Sequence, residues 1–280
     1  MIKRLIILFK IGRKLAQSEI LDIFSKFHKI PKSIKILFYF LSFSIKKRNE
    51  VNYNIEEKER LSNSLQSMGT TFIKLGQFLA TRPDIIGEDL SKQLETLQDK
   101  LPPFSLSEAK NIIRKDLGDQ MFSSIINMSE PVAAASIAQV HKAQINDDGI
   151  IKDVAIKILR PEIKKIFNEE IDALMLFAYL IESVIKKTKR LRLVEVTFLL
   201  KEITNHEMDL RFEAAAANEY AENTKNDVGF KVPNIYWNFT SENVMTLDWV
   251  EGNSIRETDI LQKQNIDTNQ IAKDIIQHFL

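Results

Sequence analysis

The sequence predicts an α+β fold in which long helical segments flank an antiparallel β-sheet. Apolar residues recur every three or four positions before Gly118 and again after Glu162, which is the spacing of amphipathic helices. Between those regions apolar and polar residues alternate, as they do in β-strands. Asp147-Asp148-Gly149 interrupts the alternation and favours a hairpin turn, so the strands on either side are expected to run antiparallel.

The composition is that of a globular protein, with 44% hydrophobic and 28% charged residues in a chain of 280. The chain has no cysteine, which excludes disulfides, cysteine–zinc sites and thiol catalysis. It has only four histidines, so a histidine-rich metal site is not expected.

The charge is distributed unevenly along the chain. Residues 1–48 contain 12 Lys/Arg and 2 Asp/Glu, whereas the remainder contains 27 Lys/Arg and 36 Asp/Glu. A basic arm suits an anionic membrane surface or a nucleic acid. Ile, Leu and Phe residues are interleaved with these charges, which favours lipid or a helical partner, and no nucleic-acid partner is predicted. No apolar run in the arm approaches the roughly 20 residues that a membrane-spanning helix needs.

The first helices are predicted from apolar spacing. Residues 1–48 are predicted to be helical, in two pieces divided by Pro31. A longer helix is predicted from about Ile55 to Thr81. Its apolar stripe consists of Leu61, Leu65, Met68, Phe72, Leu75 and Leu79. A second stripe, sparsely charged, consists of Thr70, Lys74, Gln77 and Thr81. Gly76 lies mid-helix, where glycine costs about 1 kcal/mol relative to alanine, and it indicates that something approaches the backbone closely.

Two shorter helices precede the predicted sheet. The first is stopped by Pro102-Pro103 and carries on one face Leu90, Leu94, Leu97 and Leu101. The second begins with Ser105 and Glu108 as a capping box and is predicted to end before Gly118.

The remaining elements follow from changes in period. Strands are predicted over residues 123–128, 137–145 and 152–159, with a turn over 129–136. Helices are then predicted over 162–187 and 194–224, a strand pair over 235–239 and 244–249, and a last helix from Asp267. The last helix stops with its apolar face still running, so we expect a chain cut inside a fold.

The three strands and the motif V-A-I-K at positions 154–157 match the N-terminal lobe of a protein kinase. In such a lobe the lysine, here Lys157, holds the α- and β-phosphates, and a helical glutamate holds the lysine. The sequence contains no G-x-G, and Ala133-Ala134-Ala135-Ser136 stands where a glycine loop would be. Two other interpretations stay open: Lys157 as a surface lysine, and the alanines as a packing loop.

Four segments together resemble the UbiB atypical kinase-like family over roughly residues 55–280. They are "KLGQ", "PVAAASIAQVHKA", "VAIKILRP" and "EMDLRFEAAAANEY". Charge and apolar spacing set apart a basic amphipathic helical arm over 1–50. Beyond it, the resemblance implies a helical K-x-G-Q extension over 51–122 and a kinase-like N-lobe over 123–280 with the start of a truncated C-lobe.

The resemblance also implies roles for individual residues. Lys74, Gly76 and Gln77 match the K-x-G-Q signature, a helix that folds over the nucleotide pocket in place of a protein substrate. Glu207 and Asp209 match the E-x-D signature, which is expected near that lysine. The implied cofactor-binding residues are Ala133, Ala134, Ala135, Ser136, Lys157, its partner Glu213, and the hinge residues Leu247, Asp248 and Trp249.

A metal site is the rival interpretation of the same region. On one continuous helix a row of four side chains would share a face, namely Glu202, His206, Asp209 and Glu213. Di-iron hydroxylases need E-x-x-H motifs, and the sequence contains none. No metal ligands are therefore predicted, although a role in ring hydroxylation of a polyprenylphenol remains an alternative, as does a solvated face.

The resemblance implies an ATP-binding accessory role in ubiquinone biosynthesis. The sequence has no H-A-D-x-H-P-G-N-like loop, and Asp116-Leu117-Gly118 precedes the sheet rather than following it as D-F-G would. We therefore expect this chain to be inactive or weak alone, with Mg²⁺ needed only if a C-lobe is supplied. The expected partners are a membrane surface or isoprenoid lipid, other ubiquinone-biosynthesis proteins and a separately encoded C-terminal half, at the cytoplasmic face of the bacterial inner membrane. A non-enzymatic membrane- or partner-binding module is the alternative.

Overall fold

The computed structural model describes residues 57–95, 97, 101–184, 186–255, 257–264 and 266–279, together with positions 6, 9, 12 and 13. Apart from those four positions, the basic arm predicted over residues 1–48 lies outside the described residues. None of the helices in the described ranges is both long and apolar enough to cross a membrane.

The described chain contains ten named α-helices, five strands and two short 3₁₀ helices at Lys186–Leu191 and Trp237–Phe239. In chain order the helices and strands are α1 (Glu57–Met68), α2 (Thr70–Ala80), α3 (Pro83–Ile86), α4 (Glu88–Leu94), α5 (Leu106–Ser123), β1 (Ile125–Ile126), β2 (Pro131–Ala134), β3 (Ala138–Asp147), β4 (Ile150–Leu159), α6 (Ile163–Val184), α7 (Leu193–Glu207), α8 (Leu210–Asn223), β5 (Val244–Asp248), α9 (Thr258–Lys263) and α10 (Thr268–Phe279).

These elements form two compact units. The first comprises Met1–Pro102, Ala135–Ile137 and Glu162–His206, and the second comprises Pro103–Ala134, Ala138–Pro161 and Glu207–Leu280. Helix α5 belongs to the unit that contains the sheet.

In the first unit, the helix predicted from about Ile55 to Thr81 is broken. Gly69 has a φ of 105°, a left-handed value that glycine tolerates, and it separates α1 from α2. The break changes which residues are buried: Leu61, Leu65 and Met68 remain in the core, but Leu75 and Leu79 are only half-buried. On α2 the buried residues are instead Thr71, Phe72, Ile73 and Gly76.

Gly76 is required by side-chain packing inside the first unit. A Cβ atom at this position would lie 2.6 Å from Cδ2 of Leu97 and 2.8 Å from Cδ1 of Leu65. The prediction of a close approach to this glycine is therefore confirmed, and the approaching groups are leucine side chains. Thr71, on the same helix, donates its hydroxyl to the Glu170 carboxylate on α6, which also ties α2 to that helix.

The second unit is built on a five-stranded antiparallel sheet with the order β1-β3-β4-β5, and β2 also pairs with β3. A two-residue turn joins β3 to β4, with φ of 51° at Asp148 and 85° at Gly149. Positive φ at both central residues is the geometry of the tight hairpin turn that was predicted here.

The core of the second unit lies between the sheet and α5. On one sheet face, Val154, Ile156 and Ile158 of β4 are fully buried and cluster with Ala109 and Ile113 of α5. The predicted capping box at the start of α5 is confirmed, since the Ser105 hydroxyl accepts from the Glu108 amide and the Glu108 carboxylate accepts from the Ser105 amide. The α+β class and the kinase-like N-lobe are thus confirmed.

Several element predictions in the second unit were wrong. Residues Pro131–Ala134 form a strand rather than a turn, because they pair with β3. The chain does not leave the helix at Gly118; it kinks there, with φ 80°, and α5 continues to Ser123. Residues 235–239 do not form a strand, since Ile235 makes an isolated bridge to Leu247 and a 3₁₀ turn follows.

The end of the described chain agrees with its prediction. Asp267 caps α10, because its carboxylate accepts from the amides of Asn269 at 2.9 Å and Gln270 at 3.2 Å.

Candidate functional site

The candidate site lies on the sheet face opposite the core of the second unit. Strand register places four residues in one row, Ala133, Val140, Lys157 and Met245. The next row along the same face consists of Lys142, Ala155 and Leu247. Paired residues on neighbouring strands project to the same side of a sheet. The sheet therefore brings Ala133, Lys157 and Leu247, all predicted site residues, onto one face.

Lys157 is held by Glu213. The Lys157 Nζ atom lies 2.7 Å from both carboxylate oxygens of Glu213, which is on α8. This is the pairing that the family resemblance implied, and it joins residues 56 positions apart in the sequence. The two side chains retain 25% and 47% of their exposure, so the pair lies at the surface of the unit, where a ligand can reach it.

Helix α8 is positioned by its first residues. Asp209 caps the helix: its Oδ1 atom accepts from the amide of Arg211 at 3.1 Å, and its carboxylate forms an ion pair with the Arg211 guanidinium at 2.7 Å. The amide of Leu210 donates to the carbonyl of Glu242, next to β5. These contacts fix the helix turn that carries Glu213.

The same cap argues against the rival interpretation of this region as a metal site. Glu202 and His206 lie on α7, Glu213 lies on α8, and Asp209 has extended backbone between them. The four side chains therefore do not share one helix face, as the row required. Across the described ranges no group of three or more His, Asp or Glu residues is arranged to hold a metal ion.

The alanine segment is divided between strand and turn. Ala133 and Ala134 complete β2, paired with Val140 and Gln139, and only Ala135 and Ser136 lie beyond it. Within the first unit, the Thr70 hydroxyl of α2 donates to the carbonyl of Ser136 at 3.1 Å.

Of the predicted hinge residues, Leu247 and Asp248 end β5 and Trp249 follows it. The Asp248 carboxylate accepts from the Tyr236 hydroxyl at 2.6 Å and from the Asn234 side-chain amide at 2.6 Å. Burial would raise the pKa of Asp248, but these hydrogen bonds outweigh it and lower that pKa below its usual value. Burial and the neighbouring Asp248 carboxylate raise the pKa of Tyr236.

Two backbone donors of the hinge are already used. The amide of Asp248 donates to the Asn234 carbonyl at 3.0 Å, and the amide of Trp249 donates to the Asp153 carbonyl at 3.1 Å. A ring bound along this segment would therefore have to use other backbone groups. An open cavity of about 520 Å³ lies beside the hinge, but its lining includes Lys152, Tyr236 and Trp249 and not Lys157.

The signature residues are distributed over both units. Lys74 and Gln77 are half-buried on α2 in the first unit. Glu207, the last residue of α7, and Asp209, the cap of α8, belong to the second unit.

Sequence reasoning missed Val140 and Ala155, which are small or apolar neighbours of Lys157 on the site face. The signal was present, because a two-residue turn at Asp148-Gly149 sets the hairpin register and pairs Val140 with Lys157.

The sequence is similar to those of known proteins. A model of the ABC1 atypical kinase-like domain matches residues 96–280, which is more than half of the chain. A protein from Marinobacter nauticus named "Probable protein kinase UbiB" is 31% identical over 260 residues, covering 92% of this chain and 46% of its own length. Proteins of the same name from Azotobacter vinelandii and Cellvibrio japonicus are 34% and 33% identical, each over 79% of this chain and 41% and 40% of their own lengths.

The chain thus spans less than half the length of the curated relatives it matches. The chain belongs to the ABC1 atypical kinase-like family, and the relatives that it resembles are UbiB proteins.

Proposed function

We propose that the second unit binds ATP on the sheet face that carries Lys157. The observation that supports this most directly is the Lys157–Glu213 pair, with both N–O distances at 2.7 Å. In protein kinases a lysine held in this way by a helical glutamate is required for productive binding of the phosphates. Ala133 lies in the same row of the sheet, and the backbone around it would approach those phosphates.

The rest of the face suits an adenine ring. Val140 and Ala155 offer apolar surface beside Lys157, and Leu247 continues it toward the hinge. Ligand pockets are commonly apolar, with a few polar groups that fix orientation. The base would lie against these three side chains, and the triphosphate would extend toward Lys157.

Binding without turnover is the activity proposed for this chain. Phosphoryl transfer needs an aspartate that accepts the substrate proton and another that holds Mg²⁺. The 280 residues contain no H-A-D-x-H-P-G-N-like segment, and Asp116-Leu117-Gly118 belongs to α5. Mg²⁺ would therefore be held by residues that this chain does not supply. We place the binding unit in a UbiB-type accessory role in ubiquinone biosynthesis, working with other proteins of that pathway.

The test is a calorimetric titration of the purified chain with a non-hydrolysable ATP analogue. Wild-type protein should bind, and Lys157→Ala should weaken binding by at least about tenfold, the loss expected for one charge-assisted contact. Lys152→Ala is the matched control, since Lys152 lies on the same strand but pairs with Asp147. Absence of binding to wild type, or equal binding by wild type and Lys157→Ala, would contradict the proposal.

The uneven charge supports a second role, at a membrane surface. Residues 1–48 carry a large excess of Lys and Arg among apolar residues, a composition that favours adsorption to anionic lipid. The full chain should sediment with anionic vesicles but not with neutral ones, and salt should release it. Vesicle binding that persists after residues 1–48 are deleted would contradict this role.

A further inference from the structure

A chain of buried polar side chains links strand β3 to the segments that precede α5 and β2, on the core side of the sheet. Gln139 and His141 of β3 are 1% and 0% exposed. The Gln139 side chain pairs with the backbone of Phe104, accepting from its amide at 2.9 Å and donating to its carbonyl at 3.2 Å. Its Nε2 atom also lies 2.9 Å from Nε2 of His141. The other ring nitrogen, Nδ1, lies 2.8 Å from the Ser129 carbonyl.

These contacts determine the tautomer of His141, that is, which ring nitrogen of the neutral imidazole carries the proton. A backbone amide can only donate, so the Gln139 atom facing the Phe104 amide must be its oxygen. The –NH₂ group of Gln139 then faces both the Phe104 carbonyl and His141 Nε2, and it donates to each. His141 Nε2 must therefore accept, and the single proton of a neutral imidazole must sit on Nδ1, where it donates to Ser129.

An imidazolium at position 141 would disrupt these hydrogen bonds. Protonation of Nε2 would point a donor at the –NH₂ group of Gln139. Rotating the amide would relieve this conflict but would face –NH₂ toward the Phe104 amide, so both bonds to Phe104 would be lost. The ring could instead move away from Gln139, and because Nδ1 keeps its proton and its bond to the Ser129 carbonyl, the Ser129 segment would move with it. Burying a donor or acceptor without a partner is unfavourable. Burial accordingly lowers the pKa of His141, against the opposing effects of the Ser129 carbonyl and the Glu130 carboxylate.

The surroundings of His141 offer little to stabilise a positive charge. Its cross-strand neighbour on β4 is the buried Ile156. Helix α5 contributes Ala109 and Ile113 to the core on this side of the sheet. The Glu130 carboxylate, in the segment before β2, raises the pKa of His141, but burial outweighs it.

The segment held by His141 leads into the alanine residues. Strand β2 is short, begins with Pro131, which has no amide hydrogen, and has a register shift between Pro131 and Ala133. Its attachment therefore depends on contacts just before it. Ser129 supplies these contacts through three groups. Its amide donates to the Lys142 carbonyl, its hydroxyl accepts from the Lys142 amide, and its carbonyl accepts from His141 Nδ1.

We propose that Gln139 and His141 are positioning residues that hold β2 and the start of α5 against β3 only while the imidazole is neutral, so that acid loosens the alanine segment and weakens nucleotide binding. The proposal rests on the nucleotide-binding function proposed above. It adds a pH dependence to that site and assigns two buried residues that do not touch the site face.

The first test needs no nucleotide. Ring-nitrogen NMR of the full chain should show one histidine of the four with its proton on Nδ1 at neutral pH, identified by its loss in His141→Gln. Amide hydrogen exchange should show that the protection factor of Phe104 falls in acid in wild type but not in His141→Gln, which keeps an acceptor and cannot titrate. The exposed His206, replaced in His206→Gln, is the matched control and should behave as wild type. The proposal would be overturned by a proton on Nε2 of His141 at neutral pH. It would also be overturned if the Phe104 protection factor fell equally in acid in wild type and in His141→Gln.

The second test measures affinity for the non-hydrolysable ATP analogue from about pH 7.5 down to the lowest pH at which the chain stays folded, because the pKa of His141 lies below the ordinary histidine value. The phosphates also gain protons over this range, so each variant is compared with wild type at the same pH. Wild type should lose about tenfold more affinity than His141→Gln. Parallel losses in the two proteins would refute the coupling to the alanine segment. If neither protein binds at neutral pH, the proposed nucleotide function fails. The exchange measurements still decide whether neutral His141 and Gln139 hold the Phe104 backbone.

Discussion

Leu97 lies against Gly76 so closely that its Cδ2 atom would be 2.6 Å from a Cβ atom added to that glycine. Leu65 approaches the same point from α1, at 2.8 Å. The glycine of the K-x-G-Q signature is thus part of the leucine packing of the first unit.

Gly76→Ala should therefore destabilise the protein even though alanine favours helices. Overpacking a core costs about 1–3 kcal/mol, and the better helix propensity of alanine returns about 1 kcal/mol. We expect the free energy of unfolding to fall by up to about 2 kcal/mol in urea denaturation. Gly252→Ala is the matched control, because a Cβ atom there would contact nothing within 4 Å. Equal stability of Gly76→Ala and wild type would show that the leucines move aside freely.

Separating Lys157 from Glu213 should leave the fold intact. With side-chain exposures of 25% and 47%, the pair is partly solvated, and such pairs contribute about 0–1 kcal/mol to stability. Glu213→Gln should therefore change the free energy of unfolding by less than about 1 kcal/mol while it weakens binding of the ATP analogue. Asp209→Ala is the contrasting variant, since losing the cap of α8 should cost about 1–2 kcal/mol. A larger loss for Glu213→Gln than for Asp209→Ala would mean that the pair is structural.

Asp116 should matter to stability, although it resembles a metal-binding aspartate only in its local sequence. Its Oδ2 atom accepts from the Ser241 hydroxyl at 2.8 Å and from the Asn243 side-chain amide at 2.9 Å, and so holds the turn before β5. Asp116→Ala should lower the free energy of unfolding by about 1–3 kcal/mol, measured in urea. Asp119→Ala, on the same helix with a carboxylate 90% exposed, should cost almost nothing. Similar losses in the two variants would remove this role from Asp116.

Tyr236 should stabilise the hinge in a pH-dependent way. The folded-state pKa of Asp248 is lowered, so its contribution to stability is present above its unfolded pKa of about 3.9 and is lost as the pH falls through the folded value. Tyr236→Phe removes the 2.6 Å hydrogen bond and should cost about 1 kcal/mol at neutral pH. The difference between the two proteins, followed by denaturation at several pH values, should shrink in acid. A difference that is constant with pH would show that the hydroxyl does not act through the Asp248 carboxylate.

The sequence predicted the sheet and its hairpin better than it predicted where helices break. Helical spacing continues across Gly69 and Asp209, so periodicity alone joined α1 to α2 and α7 to α8. The signals for both breaks were local: a glycine with φ of 105° and an aspartate that caps the next helix. Strand β2 was missed for a different reason, since alanine has a low strand propensity and pairing with β3 decides its structure.

The candidate site was only partly accessible to reasoning from spacing. The alternation of β4 placed Lys157 opposite the apolar core, and the structure agrees. Its pairing with Glu213 came from the family resemblance, because nothing in the local pattern links residues 56 positions apart. The Gln139–His141 chain could not have been predicted from either, since it depends on the approach of the Phe104 backbone.

The two-residue turn at Asp148-Gly149 also sets which changes in chain length the hairpin can tolerate. Residues added between Asp148 and Gly149 would lengthen a solvent-facing loop and leave every pair of β3 and β4 in place. One residue added inside β4 would shift the register and turn the Lys157 ammonium toward the core side of the sheet. The turn is therefore where an epitope or a fluorescent reporter could be grafted, and loop-length variation among related chains should be concentrated there rather than in the strand.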